Sequence, residues 1–186
     1  MNVAFSSASP AAVAADVLVL GVPAGKLADV LAAVPALSAG LGAVAAEEDF
    51  TGKPGSVLSA PSYGALAASR VLLIGLGPAG LADVRAAAGI AGKQTRDRGA
   101  KTAALAFPAT PIDTAALRSA IEAFAEGNYR FDKYKPAGSR KAPATTLTFV
   151  GVAEDAEAVR RSLALAEGQL LARDLVNEQP AEVYPE

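Results

Sequence analysis

Val71-Leu72-Leu73-Ile74-Gly75-Leu76-Gly77-Pro78-Ala79-Gly80 joins an unbroken aliphatic run to a glycine-rich turn. Branched aliphatics bounded by turn residues fit a strand buried on both faces, the form strands take in a parallel sheet covered by helices. Gly75, Gly77 and Pro78 close that strand. Residues 81–98 then place Leu81, Val84, Ala88 and Ala91 along one helical stripe, and Gly99 supplies a left-handed stop. Strand, tight turn and amphipathic helix make one βα unit, and units of this kind stack into a sheet with helices laid upon it.

The same alternation runs outward in both directions. Toward the amino terminus, residues 2–5 read as a short strand and residues 16–22 as a fully buried one. Pro23 then opens a helix whose stripe is Leu27, Val30, Leu31 and Val34, and residues 37–50 read as helical despite Gly40 and Gly42. Residues 51–55 form a turn and 56–60 a strand. Toward the carboxyl terminus, residues 102–107 make the next strand. Thr110 is expected to cap the following helix, with Pro111 at its first position, Asp113 three residues after the cap and Gly127 at its end. Leu117, Ala120, Ile121 and Phe124 are its buried face.

Residues 145–150 alternate threonine with Leu147 and Phe149, as a strand near a sheet edge does. Glu154, Asp155 and Glu157 open a last helix on the favourable side of its dipole, and Glu157 can pair with Arg161 one turn on. Val159, Leu163, Ala166, Leu170 and Leu175 carry that helix to about residue 177, before Pro180 forbids its continuation. Leu171 and Val176 are expected to stay partly uncovered, which would make residues 173–186 dispensable for stability. The pattern predicts a three-layer α/β/α domain over residues 1–177, with a largely parallel or mixed sheet of about six strands. Residues 178–186 read as a connector toward another domain.

Composition removes whole classes of chemistry. With 186 residues and 52% hydrophobic content, the chain can bury one sizeable core. It has no Cys and no His, so disulfides, thiolate nucleophiles, Ser-His pairs and imidazole metal ligands are all excluded within it. Only carboxylates could hold a metal, which favours hard ions. Glu47-Glu48-Asp49 and Glu154-Asp155 with Glu157 are local clusters, read as solvated faces. A net charge of -2 gives no general attraction to nucleic acid or anionic membrane. The first cation is Lys26 and Asp16 interrupts the early apolar run, so no signal peptide or span is read and the cytoplasm is the default location.

Two stretches invite a binding role. Residues 75–80 match G-x-G-x-x-G after a strand and before a helix, the dinucleotide fingerprint. Against it, the following strand ends Phe107-Pro108 with no ribose-binding acid, and Pro78 removes an amide from the loop, so a purely structural turn is favoured. Asn128-Tyr129-Arg130-Phe131-Asp132-Lys133-Tyr134-Lys135, with Arg140 and Lys141, interleaves aromatic and basic residues as single-strand binders do. The blander reading has Tyr129 and Phe131 fastening a loop while Arg130 and Lys133 stay solvated or meet a neighbouring subunit. Lys93, Arg96, Arg98 and Lys101 read as the solvated, dipole-favoured end of a helix.

Ala172-Arg173-Asp174-Leu175-Val176-Asn177-Glu178 and Tyr184-Pro185-Glu186 resemble the leucyl aminopeptidase family of metallopeptidases at the junction between its two domains, where members show a run like ARDLVNEPANVLYPE. Gln179, Pro180 and Ala181 depart from that run. The segment Tyr129-Arg130-Phe131-Asp132 with Tyr134-Lys135 is similar to a second family motif. The resemblance implies a macro-domain-like fold and a parent enzyme, hexameric, that uses two divalent ions, manganese or zinc, to release amino-terminal residues. It places the metal ligands and catalytic residues in a larger, carboxyl-terminal domain, so no catalytic, metal or cofactor-binding residue is assigned here. The chain is then a non-catalytic amino-terminal domain serving assembly and active-site access, whose partners are its own catalytic domain and further copies of the enzyme. An autonomous macro-like domain that binds a nucleotide or ADP-ribose is the alternative, and titration with ADP-ribose separates the two.

Overall fold

The computed structural model describes residues 1–140 and 142–179. Its strands are β1 (Asn2–Ser6), β2 (Val17–Pro23), β3 (Val57–Pro61), β4 (Arg70–Gly77), β5 (Thr102–Ala106) and β6 (Thr146–Val150). They form one six-stranded sheet in the order β1-β6-β5-β2-β4-β3. All neighbours are parallel except β3, which lies antiparallel on β4, so the sheet is mixed. The central strands β2 and β4 are the longest continuous apolar runs and are buried along almost their whole length, because helices cover both faces. β6 lies one place in from the β1 edge, and its Leu147 and Phe149 are fully buried.

The helices are α1 (Leu27–Leu31), α2 (Pro35–Glu47), α3 (Leu81–Asp97), α4 (Thr114–Asn128) and α5 (Ala156–Asn177). The period-two alternation of a strand sorts its side chains between two cores. Leu18, Leu20, Val22, Val71 and Leu73 pack under α1 and α2 with Val30, Val34 and Leu41. Val17, Val19, Leu72, Ile74 and Leu105 pack under α3, α4 and α5 with Val84, Ala91, Leu117 and Phe124. The expected three-layer arrangement is present.

Several local expectations change. Pro23 ends β2 rather than opening a helix, and the stripe Leu27 to Val34 spans a short helix and the break before Pro35, whose ring starts α2. Asp113, not Thr110, caps α4: its carboxylate accepts the amide of Ala116 at 2.8 Å, because a turn closed by Thr110 N–H to the Phe107 carbonyl precedes the helix. Leu81 is exposed, so the inner stripe of α3 begins at Val84. Gly127 does not end α4. It lies inside the helix, where a Cβ would stand 2.1 Å from the Gly89 carbonyl, and a Cβ on Gly92 would stand 2.2 Å from the Phe124 carbonyl. These glycines let α3 and α4 touch backbone to backbone. Asp16, read only as a break in an apolar run, ties two strands together. Its carboxylate accepts the amides of Lys101 and Thr102 at 2.7 and 2.9 Å, while its own amide donates to the Thr102 hydroxyl at 2.8 Å. Burial raises the Asp16 pKa but these donors outweigh it, and the net shift is downward.

Candidate functional site

The aromatic-basic stretch and the end of α5, far apart in sequence, meet in space. Asn128 closes α4 and fixes the path of the chain beyond it: its buried amide group donates to the Ala144 carbonyl and accepts the Ala144 amide, each at 2.9 Å. Tyr129 is thereby turned onto α5. Its hydroxyl donates to Asp174 at 2.7 Å, and the Arg173 guanidinium lies 4.1 Å from its ring centroid while donating to the Glu126 carbonyl at 3.0 Å. Arg96 holds the Tyr129 carbonyl at 2.6 Å from the α3 side. Burial raises the Tyr129 pKa, and the bond to Asp174 raises it further. One turn on, Lys133 pairs with Glu178 at 2.7 Å and lowers its pKa, and the Tyr134 hydroxyl donates to the same carboxylate.

The other cations of the stretch are also engaged within the chain. Arg130 and Lys135 both pair with Asp132, at 2.8 and 2.7 Å, and Arg140 donates to the carbonyls of Lys133 and Lys135. Phe131 meets Tyr134 edge-on at 5.8 Å. The aromatic residues therefore fasten the end of the last helix as much as they fasten their own loop. Lys141 and the connector residues 180–186 lie outside the described residues.

The helix so held is apolar on two sides. Ser162 and Ala166 are buried and Leu170 half-buried on the inner side. Leu165, Leu171, Leu175 and Val176 are exposed, Leu171 by 59% and Val176 by 85%. At 3.6 residues per turn these exposed residues fall within roughly 140° of the helix circumference, with Leu171 and Leu175 turned away from the inner side and Val176 in line with Ala158 about five turns earlier. Leu175, expected on the inner stripe, belongs to the outer one. Sequence periodicity missed this because two apolar faces on one helix blur each other.

The glycine loop is occupied by its own protein. Gly75 and Gly77 donate their amides to the carbonyls of Ser56 and Gly52, both at 2.8 Å, and accept from Gly55 and Ala24. Gly80 donates to Asp83 at 2.9 Å. Gly77 has φ +57, and a Cβ there would lie 2.4 Å from the Pro54 ring. The loop's amides are spent within the chain, on the 52–56 turn, on Leu76 and on Asp83, as a structural strand-to-helix connection requires. A cavity of about 460 Å³ opens over the carboxyl ends of β5 and β6, lined by small and apolar residues such as Ala8, Pro108, Ala109, Val152 and Ala153. Among the described residues, no three carboxylates converge as metal ligands. Glu157 is taken by Arg160 and Arg161 at 2.8 and 2.5 Å.

The sequence profile of the cytosol aminopeptidase family, N-terminal domain, matches residues 18–137. The chain belongs to the cytosol aminopeptidase family. Its match to the family's amino-terminal domain extends to curated relatives. A probable cytosol aminopeptidase of Methylobacillus flagellatus is 34% identical over 97% of this chain and 39% of its own length. One from Streptomyces griseus is 35% identical over 97% of this chain and 40% of its own. The chain thus spans about 40% of the cytosol aminopeptidases it matches. Among solved structures, a tomato leucine aminopeptidase mutant superposes with a TM-score of 0.83 over 99% of this chain and 39% of that one, at 19% identity, which shows the shared fold. The bottromycin maturation enzyme BotP in complex with Mn is 30% identical, with a TM-score of 0.68 over 92% of this chain and 34% of that one.

Proposed function

We propose that this domain is non-catalytic and that it serves a metal-dependent aminopeptidase by docking against the catalytic part through the outer face of α5. The exposed stripe Leu165, Leu171, Leu175 and Val176 carries this reading, since a contiguous apolar surface on a helix whose other side is already packed marks a contact with a further body. The clamp of Tyr129, Arg173, Asp174, Lys133 and Glu178 supports it by fixing the direction in which the chain leaves the domain. Residues 1–177 form the domain and residues 178–186 the connector.

The parent enzyme hydrolyses amino-terminal peptide bonds with two divalent ions, manganese or zinc, that polarise the carbonyl and supply a hydroxide at neutral pH. The described residues of this chain do not fit such ions, because no three potential ligands meet. The ions are therefore assigned to the catalytic part, and this domain acts on turnover through assembly into a hexamer and through substrate access. It works in the cytoplasm. The test is leucine p-nitroanilide hydrolysis with added manganese by the purified chain. No turnover is expected, and metal-dependent turnover that survives further purification would overturn the reading.

A further inference from the structure

At the β3 edge, Ser59, Arg70 and Arg98 come together from three elements. Ser59 faces the α3 side beside Leu72, Arg70 opens β4, and Arg98 follows the last turn of α3. The Ser59 hydroxyl oxygen accepts from Arg70 Nη1 at 3.0 Å and from Arg98 Nη2 at 3.3 Å. Two accepted bonds use both of its lone pairs and leave its own proton free to donate. Among the described residues neither arginine forms an ion pair, and the nearest carboxylate in sequence, Asp97, is held by Arg96 at 2.8 Å. Arg98 Nη1 is accounted for by the carbonyl and side chain of Gln94, a normal helix-end contact. Arg98 Nη2 and Arg70 Nη1 have the Ser59 hydroxyl as their acceptor. Two guanidinium groups share one hydroxyl, every free group is a donor, and the opposite charge of Asp97, already paired with Arg96, only partly offsets that of Arg98. The repulsion registers on Arg98, whose pKa is lowered first by burial and then by the charge of Arg70, with Asp97 acting in the opposite direction.

We propose that Ser59, Arg70 and Arg98 form an oxyanion site that takes a phosphate group, whether free or carried by a small phosphomonoester. Guanidinium forks match phosphate oxygens in geometry and charge, and the serine proton adds a third donor. A bound phosphate would tie the antiparallel edge strand to the end of α3. The site lies outside the α5 junction and does not depend on it.

The experiment is titration of the purified chain with potassium phosphate, and separately with glycerol phosphate, against potassium chloride at equal ionic strength, followed by calorimetry and by thermal unfolding. Saturable binding of phosphate that raises the unfolding temperature is expected, because a ligand of the native state alone stabilises by mass action. Arg98→Gln, on an exposed helix end, and Arg70→Gln should each weaken it at least about tenfold, the loss expected for one charge-assisted hydrogen bond. Lys93→Gln, a cation of the same helix outside the trio, should change nothing. Tighter binding of the phosphomonoester would identify an ester as the ligand, and equal binding would identify free phosphate. Absence of saturation, or an equal response to Lys93→Gln and Arg98→Gln, would overturn the proposal.

Discussion

At the scale of single residues, Tyr129 links three elements, and its hydroxyl is the atom whose loss should be most visible. Tyr129→Phe keeps the ring under Arg173 but leaves Asp174 without its donor, so a loss of about 1 kcal/mol is expected in urea unfolding. Because the folded pKa of Tyr129 is raised, the stability it contributes is complete below its unfolded value and is lost as pH rises through the folded one. Glu157 works in the opposite direction. Arg160 and Arg161 hold its pKa down to about 2 from 4.5, so its contribution is present above pH 4.5 and is lost as pH falls toward 2. Circular dichroism between pH 2 and 5 should show a shallower acid transition in Glu157→Gln than in the native chain. Gly77→Ala places a Cβ against Pro54 at a positive φ and should destabilise by at least about 1 kcal/mol. It should leave NAD and ADP-ribose titrations flat, the same outcome expected for the native loop, whose amides are already bonded. Saturable binding of either ligand that Gly77→Ala abolishes would instead favour the autonomous macro-like alternative.

Among the elements, α5 shows how far periodicity reaches. Its start was legible because Asp155 caps it by accepting the Ala158 amide at 2.9 Å, and carboxylates in a first turn leave a clear signature. Its inner face was legible only in part, since Ala158, Ser162 and Ala166 are small residues that a hydrophobic pattern underweights. The clamp was not legible as a contact at all, because no local rule brings residue 129 to residue 174. The expectation that residues 173–186 are dispensable needs revision for the same reason. Removing Arg173 and Asp174 takes away the Tyr129 contacts and should cost about 1–2 kcal/mol, read by thermal unfolding of the truncated chain. Leu171→Asp with Leu175→Asp should behave differently. Both side chains are more than half exposed, so domain stability should stay within about 0.5 kcal/mol.

For the molecule as a whole, the fold was readable from strands such as β4, whose apolar run fixes burial on both faces, and from the alternation of strands with amphipathic helices. The order of the strands was not readable. β3 reverses direction and β5 crosses to the far side of β2, and both choices depend on packing between distant segments. The central claim concerns the outer face of α5, and the most direct measurement is calorimetric binding of this domain to the separately expressed catalytic part of a relative that lacks its own amino-terminal domain. The native domain should bind saturably, and the Leu171→Asp, Leu175→Asp variant should bind at least about tenfold more weakly while remaining folded. Equal affinity of the two domains, or no binding by either, would contradict the account.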